Sequence, residues 1–164
     1  MRLFVAVFPD EAVNAAADEA LAGLDPTRWR PVARERRHVT LRFHPDADPD
    51  EVAADLRHRL VAADRPTLRC GGAGMFGSAL WLGVRPDDGA SWERLLAAVG
   101  ADPAEHVAHL TVARGRGPAL EALQGHHGPS WSPADMVLVA SGTPYRVLAR
   151  FPLVGGHEGV GPGR

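Results

Sequence analysis

The sequence predicts an α+β protein of two pseudo-symmetric sheet-and-helix lobes, on three observations. Short apolar runs of strand character alternate with stretches of helical periodicity. The order strand, helix, histidine-bearing strand, helix, strand occurs in each half of the chain. The two histidine-bearing strands carry the same His-x-Thr pattern, at similar distances from the strand that opens their half. At 164 residues the chain is long enough for one compact domain and too short for two in series. The repeat is therefore read as two lobes of one domain over residues 1–154, followed by a flexible glycine-rich tail over 155–164.

Leu3 to Phe8 is a continuous apolar run suited to a buried central strand, ended by Pro9-Asp10. From Asp10 to Leu24, Val13, Ala16, Ala17, Ala20, Leu21 and Leu24 recur at the spacing of an amphipathic helix, with Asp10 as its cap. Val39, Leu41 and Phe43 alternate with His38, Thr40 and Arg42, the period of a half-exposed strand. Asp50 to Ala62 is again helical in pattern. Thr67 to Phe76 is strand-like, and its glycines from Gly71 to Gly74 predict a bulge or tight turn. In the second half, Ala79 to Val84 predicts a strand, Ser91 to Val99 a helix capped by Ser91 and stopped by Gly100, and Leu110 to Val112 an alternating strand. Pro118 to Leu123 predicts a short helix, and Met136 to Ala140 and Arg146 to Phe151 two closing strands.

Composition narrows the partners. All 18 basic residues are arginine, and 20 acidic residues leave a net charge of -2, so the chain is no polycation and any anion site must be local. Cys70 is the single cysteine, which excludes an internal disulfide and suits a reducing cytosol. The opening run is too short for the core of a signal peptide, and no stretch approaches the roughly 20 apolar residues of a membrane span. A cytoplasmic, monomeric protein with no membrane contact is expected.

The chemistry sits in the repeat. In a strand, residues i and i+2 share a face, so His38 sits beside Thr40 and His109 beside Thr111, while Val39 and Leu110 face the core. Set across a cleft, two imidazoles with pKa values near ~6.5 can hold one neutral base and one protonated acid together at neutral pH. That equipment suits in-line attack on phosphorus, with the threonine hydroxyls donating to phosphoryl oxygens. The residues alone do not say which histidine is acid and which is base. No cofactor or metal is called for: His106-x-x-His109 and His126-His127 lack a carboxylate or cysteine at ligand spacing.

The paired motifs, Glu35-Arg36-Arg37-His38-Val39-Thr40-Leu41-Arg42-Phe43 and His109-Leu110-Thr111-Val112-Ala113-Arg114, resemble those of the two-histidine (2H) phosphoesterase superfamily. Within it the chain is most similar to the RNA 2',3'-cyclic phosphodiesterases, also called 2'-5' RNA ligases. The likeness extends to the opening Arg2-Leu3-Phe4-Val5-Ala6, to Leu80-Trp81-Leu82-Gly83-Val84 and to Tyr145 through Leu153. It departs at Phe43-His44-Pro45, at Val107-Ala108 and in the run from Trp29 to Arg34. The resemblance implies mainly antiparallel sheets with helices outside and an active-site cleft between the lobes. It implies metal-independent opening of a 2',3'-cyclic phosphate to a 2'-phosphate, reversible as ligation. It also gives His38 as proton donor to the 3' oxygen and His109 as the base that activates water.

Further candidates surround these four. Arg114 matches a phosphate-contacting position of the family, and Arg42 shares the alternating face of His38 and Thr40. Phe4, Phe76 and Tyr145 match places near the family's cleft where an aromatic ring stacks on a base, with core packing as the competing reading. Trp81 and Trp92 are assigned to the core. Arg28, Arg30, Arg34, Arg36, Arg37 and Arg42 form a basic stretch that suits either an RNA backbone or a solvated loop. The leading expectation is a hydrolase of RNA 2',3'-cyclic phosphate ends. The alternatives are a phosphodiesterase acting on another small cyclic or 2'-linked nucleotide, and a non-catalytic RNA-binding module.

Overall fold

A computed structural model describes residues 1–154. The expected tail over 155–164 lies outside the described residues. Strand β1 (Leu3–Val7) is buried along its whole length, as its unbroken apolar run requires, and helix α1 (Glu11–Leu21) follows it. Asp10 caps α1, its carboxylate accepting from the Val13 amide at 3.0 Å, and Val13, Ala17 and Leu21 turn the apolar stripe inward. A short strand β2 (Trp29–Pro31) and one 3-10 turn (Arg34–Arg36) then lead into β3 (Val39–His44).

Helix α2 (Pro49–Arg59) is capped by Asp48. Strand β4 (Leu68–Phe76) runs through its glycines unbroken, with the expected irregularity appearing as a register shift between Cys70 and Ala73. It forms a hairpin with β5 (Ala79–Pro86). Helix α3 (Gly89–Ala98) starts two residues before the expected Ser91, because the side chain of Asp88 accepts the Ser91 amide at 3.1 Å and is the cap. Gly100, just past its end, has φ +88°, a conformation that favours glycine. Then come β6 (His109–Gly115), the single-turn α4 (Leu120–Leu123), β7 (His127–Trp131), β8 (Asp135–Ala140) and β9 (Arg146–Pro152).

The strands form two antiparallel sheets, β3-β1-β8-β9 and β2-β6-β5-β4-β7. The expected two-lobed α+β architecture is borne out. The sheets are not simple halves of the chain, however. Strands β8 and β9, late in the sequence, complete the sheet begun by β1 and β3, while β4 crosses over to join β5 and β6. Each His-x-Thr strand thus pairs with the strand that opens its half, β3 with β1 and β6 with β5.

One face of each sheet builds a common core with the helices: Leu3, Val5 and Leu41 from the first, Leu80, Leu82 and Leu110 from the second, with Trp92 and Leu96 of α3. A buried leucine of this kind contributes about 1.5–3 kcal/mol. On its other face the first sheet carries a separate cluster of Phe4, Ala6, Val137 and Val139, against which Phe8 and Tyr145 pack. That face bears the site. Among the described residues no helix is long and apolar enough to cross a membrane.

Candidate active site

The two histidines are held in the same way. His38 Nδ1 lies 2.8 Å from the main-chain carbonyl oxygen of Arg36, and His109 Nδ1 lies 2.7 Å from that of Val107. A carbonyl can only accept, so each Nδ1 carries a proton and donates it, and each ring leaves Nε2 for another partner. In both cases the acceptor stands two residues earlier, so the extended approach to each strand orients its own imidazole. His38, Thr40, His109 and Thr111 line one cleft of about 370 Å³. Arg30, Arg36, Arg114 and Tyr145 complete its polar lining, which contains no carboxylate.

Both catalytic-pattern strands carry a bulge directly after the threonine. On β3, Thr40 pairs with Ala6 and Arg42 with Val5, leaving Leu41 as the extra residue. On β6, Thr111 pairs with Trp81 and Ala113 with Leu80, leaving Val112 extra. One inserted residue reverses the alternation beyond it. This corrects the expectation for Arg42. It lies opposite core-facing Val5, away from the face of Thr40, and its guanidinium donates to the Val99 carbonyl at 3.0 Å. The same reversal brings Arg114, three residues after Thr111, onto the cleft face opposite Ala79.

Aromatic rings flank each imidazole. Phe4 stacks on His38 with ring centroids 4.4 Å apart and planes at 22°, and Tyr145 meets the same ring edge-on at 5.5 Å. Phe4 is only 4% exposed and is absent from the cleft lining, so it holds the imidazole and offers no open face to a base, a correction of its expected stacking role. Tyr145 lines the cleft and carries the Arg36 guanidinium 3.8 Å above its ring. His109 has Phe76 edge-on at 5.1 Å and Trp81 at 5.7 Å. Phe76 is 51% exposed, leaving ring surface for a ligand. The Trp81 indole lies over Gly74, where a Cβ would collide with it. Trp81 therefore belongs to the site face and not to the core, because Leu80, Leu82 and Val84 fill the core face of the same strand.

A protein of Thermus thermophilus named RNA 2',3'-cyclic phosphodiesterase is 32% identical over 99% of this chain and 97% of its own length. The sequence pattern of the family described as LigT like Phosphoesterase matches residues 7–85. The chain belongs to the LigT-like phosphoesterases. A crystal structure from Thermus thermophilus superposes with a TM-score of 0.69 at 30% identity, covering 96% of this chain and 100% of that one. Escherichia coli LigT complexed with 3'-AMP shares the fold, with a TM-score of 0.70 at 23% identity over 93% of this chain and 98% of its own.

In this LigT-like cleft the charge on His38 is disfavoured. Burial is the main cause of its lowered pKa, and the charges of His109 and Arg36 add to it, against the Arg36 carbonyl, which favours the imidazolium. The basic stretch divides between structure and site. Arg28 pairs with Asp25, Arg34 with Glu11 and Asp18, and Arg37, 2% exposed, with Asp18 at 2.7 Å. Arg30 and Arg36 reach the cleft. Sequence reasoning did not single these two out. Neither β2, which is three residues long and contains a proline, nor the 3-10 turn has a periodicity that shows a facing side.

Proposed function

We propose that the chain opens RNA 2',3'-cyclic phosphate ends to 2'-phosphates by metal-independent acid-base catalysis. The observation that carries the reading is the matched Nδ1 anchoring of His38 and His109, which leaves both Nε2 atoms for one carboxylate-free cleft. Water attacks phosphorus and the bond from phosphorus to O3' breaks. One imidazole takes the proton of the water while the other gives a proton to O3'. Following the family resemblance, His109 is the base and His38 the acid. Thr40 and Thr111 donate to the non-bridging oxygens, and Arg114 neutralises their charge as it spreads.

Phe76, outside the cleft lining but exposed against the His109 ring, offers ring surface for the base, and Tyr145 lines the cleft beside His38. The cleft takes residues from both lobes, so residues 1–154 act as one catalytic domain. When a 5'-hydroxyl attacks phosphorus in place of water, the same breaking of the bond to O3' gives a 2'-5' linkage, and attack by O3' with loss of the 5'-hydroxyl reverses it. The name of the Thermus thermophilus relative supports the substrate class.

The test is the product end formed from an oligonucleotide bearing a cyclic phosphate, in the presence of EDTA. A 2'-phosphate is expected from the native chain, with severe loss in His38→Ala and His109→Ala. A 3'-phosphate, or undiminished turnover in both variants, overturns the reading.

A further inference from the structure

Arg30 stands directly opposite Arg114 in the β2-β6 pairing, and both line the cleft. Residues opposite one another in an antiparallel pair point to the same side, so the two arginine side chains leave neighbouring positions on that face. Neither has an ion pair or a side-chain hydrogen bond among the described residues, and no carboxylate lines the cleft to separate them. Like charges directly opposite are destabilising. A chain with 20 acidic residues could have offset this pair from any neighbouring position and does not. An anion on the Arg30 fork, beside the reacting phosphate that Arg114 meets, would remove the repulsion.

The position of the pair indicates which anion. Strand β6 carries His109 and Thr111; β5, with β4 beyond it, lies on one side and the edge strand β2 on the other. The aromatic side chains Trp81 and Phe76 belong to the β5-β4 side and Arg30 to the β2 side. In a nucleotide with a 2',3'-cyclic phosphate, the base leaves the ribose next to C2' and the 5' substituent leaves it next to C3'. The two therefore project to opposite sides of the reacting phosphorus. With the base toward Phe76, the 5' substituent runs toward Arg30.

We infer that Arg30, next to the Arg114 that meets the reacting phosphate, forms a subsite for the 5'-phosphate of the terminal nucleotide, which makes the end of an RNA chain, in preference to a free nucleoside cyclic phosphate, the substrate class. The inference rests on the hydrolase reading above. In RNA that phosphate is the link to the preceding nucleotide, and a planar guanidinium fork suits its paired oxygens. Arg30 is a specificity residue: it holds a phosphate that does not react.

The test compares kcat/KM for adenosine 2',3'-cyclic phosphate with that for its 5'-phosphorylated form, in the native chain and in Arg30→Gln and Arg30→Lys. The native chain is expected to prefer the 5'-phosphorylated substrate. Arg30→Gln lowers that preference by about tenfold, the size of one charge-assisted hydrogen bond, and Arg30→Lys retains part of it. Because the substitution also removes a like-charge pair, the Tm of Arg30→Gln stays level or rises while the preference falls. A preference ratio unchanged by Arg30→Gln overturns the inference.

Titration of the product, adenosine 2'-phosphate with and without a 5'-phosphate, reads the subsite without turnover. Equal gain in affinity from the 5'-phosphate in native chain and variant overturns the subsite. If the native chain hydrolyses neither substrate, the hydrolase reading falls and this titration alone decides the subsite.

Discussion

His106 Nε2 lies 2.8 Å from the main-chain carbonyl oxygen of Thr40, so a side chain three residues before His109 is fastened to the strand that carries the other motif. The carbonyl accepts, which places the proton of His106 on Nε2. Its Nδ1 is buried without a hydrogen-bond partner, and its ring meets Trp92 of α3 edge-on at 6.2 Å. This bond joins the loop leading into β6 to β3 across the two sheets. It therefore fastens the approach to β6, where the Val107 carbonyl holds His109, to β3, which carries Thr40.

A positioning role for His106 makes a graded prediction. His106→Ala should lower kcat by tenfold or more with a smaller change in KM, since a misplacement of about 1 Å can cost roughly 10²-fold in rate. His106→Gln, which keeps a donor on a side chain of similar reach, should recover much of the loss. Equal kcat in the Ala and Gln variants would show that the bond to Thr40 does not position the site.

The roles of His38 and His109 are separable by leaving group. An acid is needed when O3' departs and not when a nitrophenolate does. Loss of general acid or base is expected to cost about 10²–10⁴-fold. His38→Ala should therefore be far less impaired on a nitrophenyl phosphodiester than on a cyclic end, while His109→Ala is impaired on both. The reverse pattern would exchange the two assignments.

The lowered pKa of His38 gives an independent reading. In an NMR titration its ring should protonate below the ordinary value of 6.5, because burial, His109 and Arg36 disfavour the imidazolium. Inorganic phosphate in the cleft should raise the midpoint by offsetting that charge. The sign for stability follows. A histidine whose folded pKa is depressed contributes stability above its unfolded pKa and loses it as pH falls through the folded one. A midpoint at or above 6.5 without ligand would contradict the burial of this ring.

Arg37 is the structural counterpart of the cleft arginines. It is 2% exposed, donates to the Val32 carbonyl at 3.0 Å and to Asp18 at 2.7 Å, and so ties the residues before His38 to α1. The Asp18 carboxyl is desolvated, which opposes ionisation, yet its bonds to Arg37 and Arg34 leave its pKa lowered. Arg37→Ala should lower the unfolding free energy by about 2–4 kcal/mol, somewhat under the usual figure for a broken buried pair because Asp18 is 40% exposed. Urea denaturation measures it, and a loss below ~1 kcal/mol would show that the pair carries little of the anchoring.

Much of the site was legible because strand alternation is local. The faces of His38 with Thr40 and of His109 with Thr111 follow from period two, as do the core assignments of Val39 and Leu110, which are both fully buried. The α1 cap at Asp10 and the stop at Gly100 were readable for the same reason: each depends on a few neighbouring residues. The reading failed where one inserted residue altered parity. Leu41 and Val112 look like ordinary alternating residues, and only their pairing with β1 and β5 shows that each is a bulge. Arg42 was therefore expected in the cleft, and the reach of Arg114 into it could not be derived from spacing.

The sequence by itself determined most element types, the duplicated His-x-Thr pattern and that any anion site must be local, since composition and short-range periodicity carry that information. Only the tertiary structure decided which strands share a sheet, with β4 and β8 exchanged between the sequence halves. It also decided which arginines face the cleft and that Phe4 supports an imidazole instead of meeting a substrate. These are consequences of pairing between residues far apart in the chain. A strand's own residues do not specify its partner or register, and the direction of a side chain beyond a bulge depends on both.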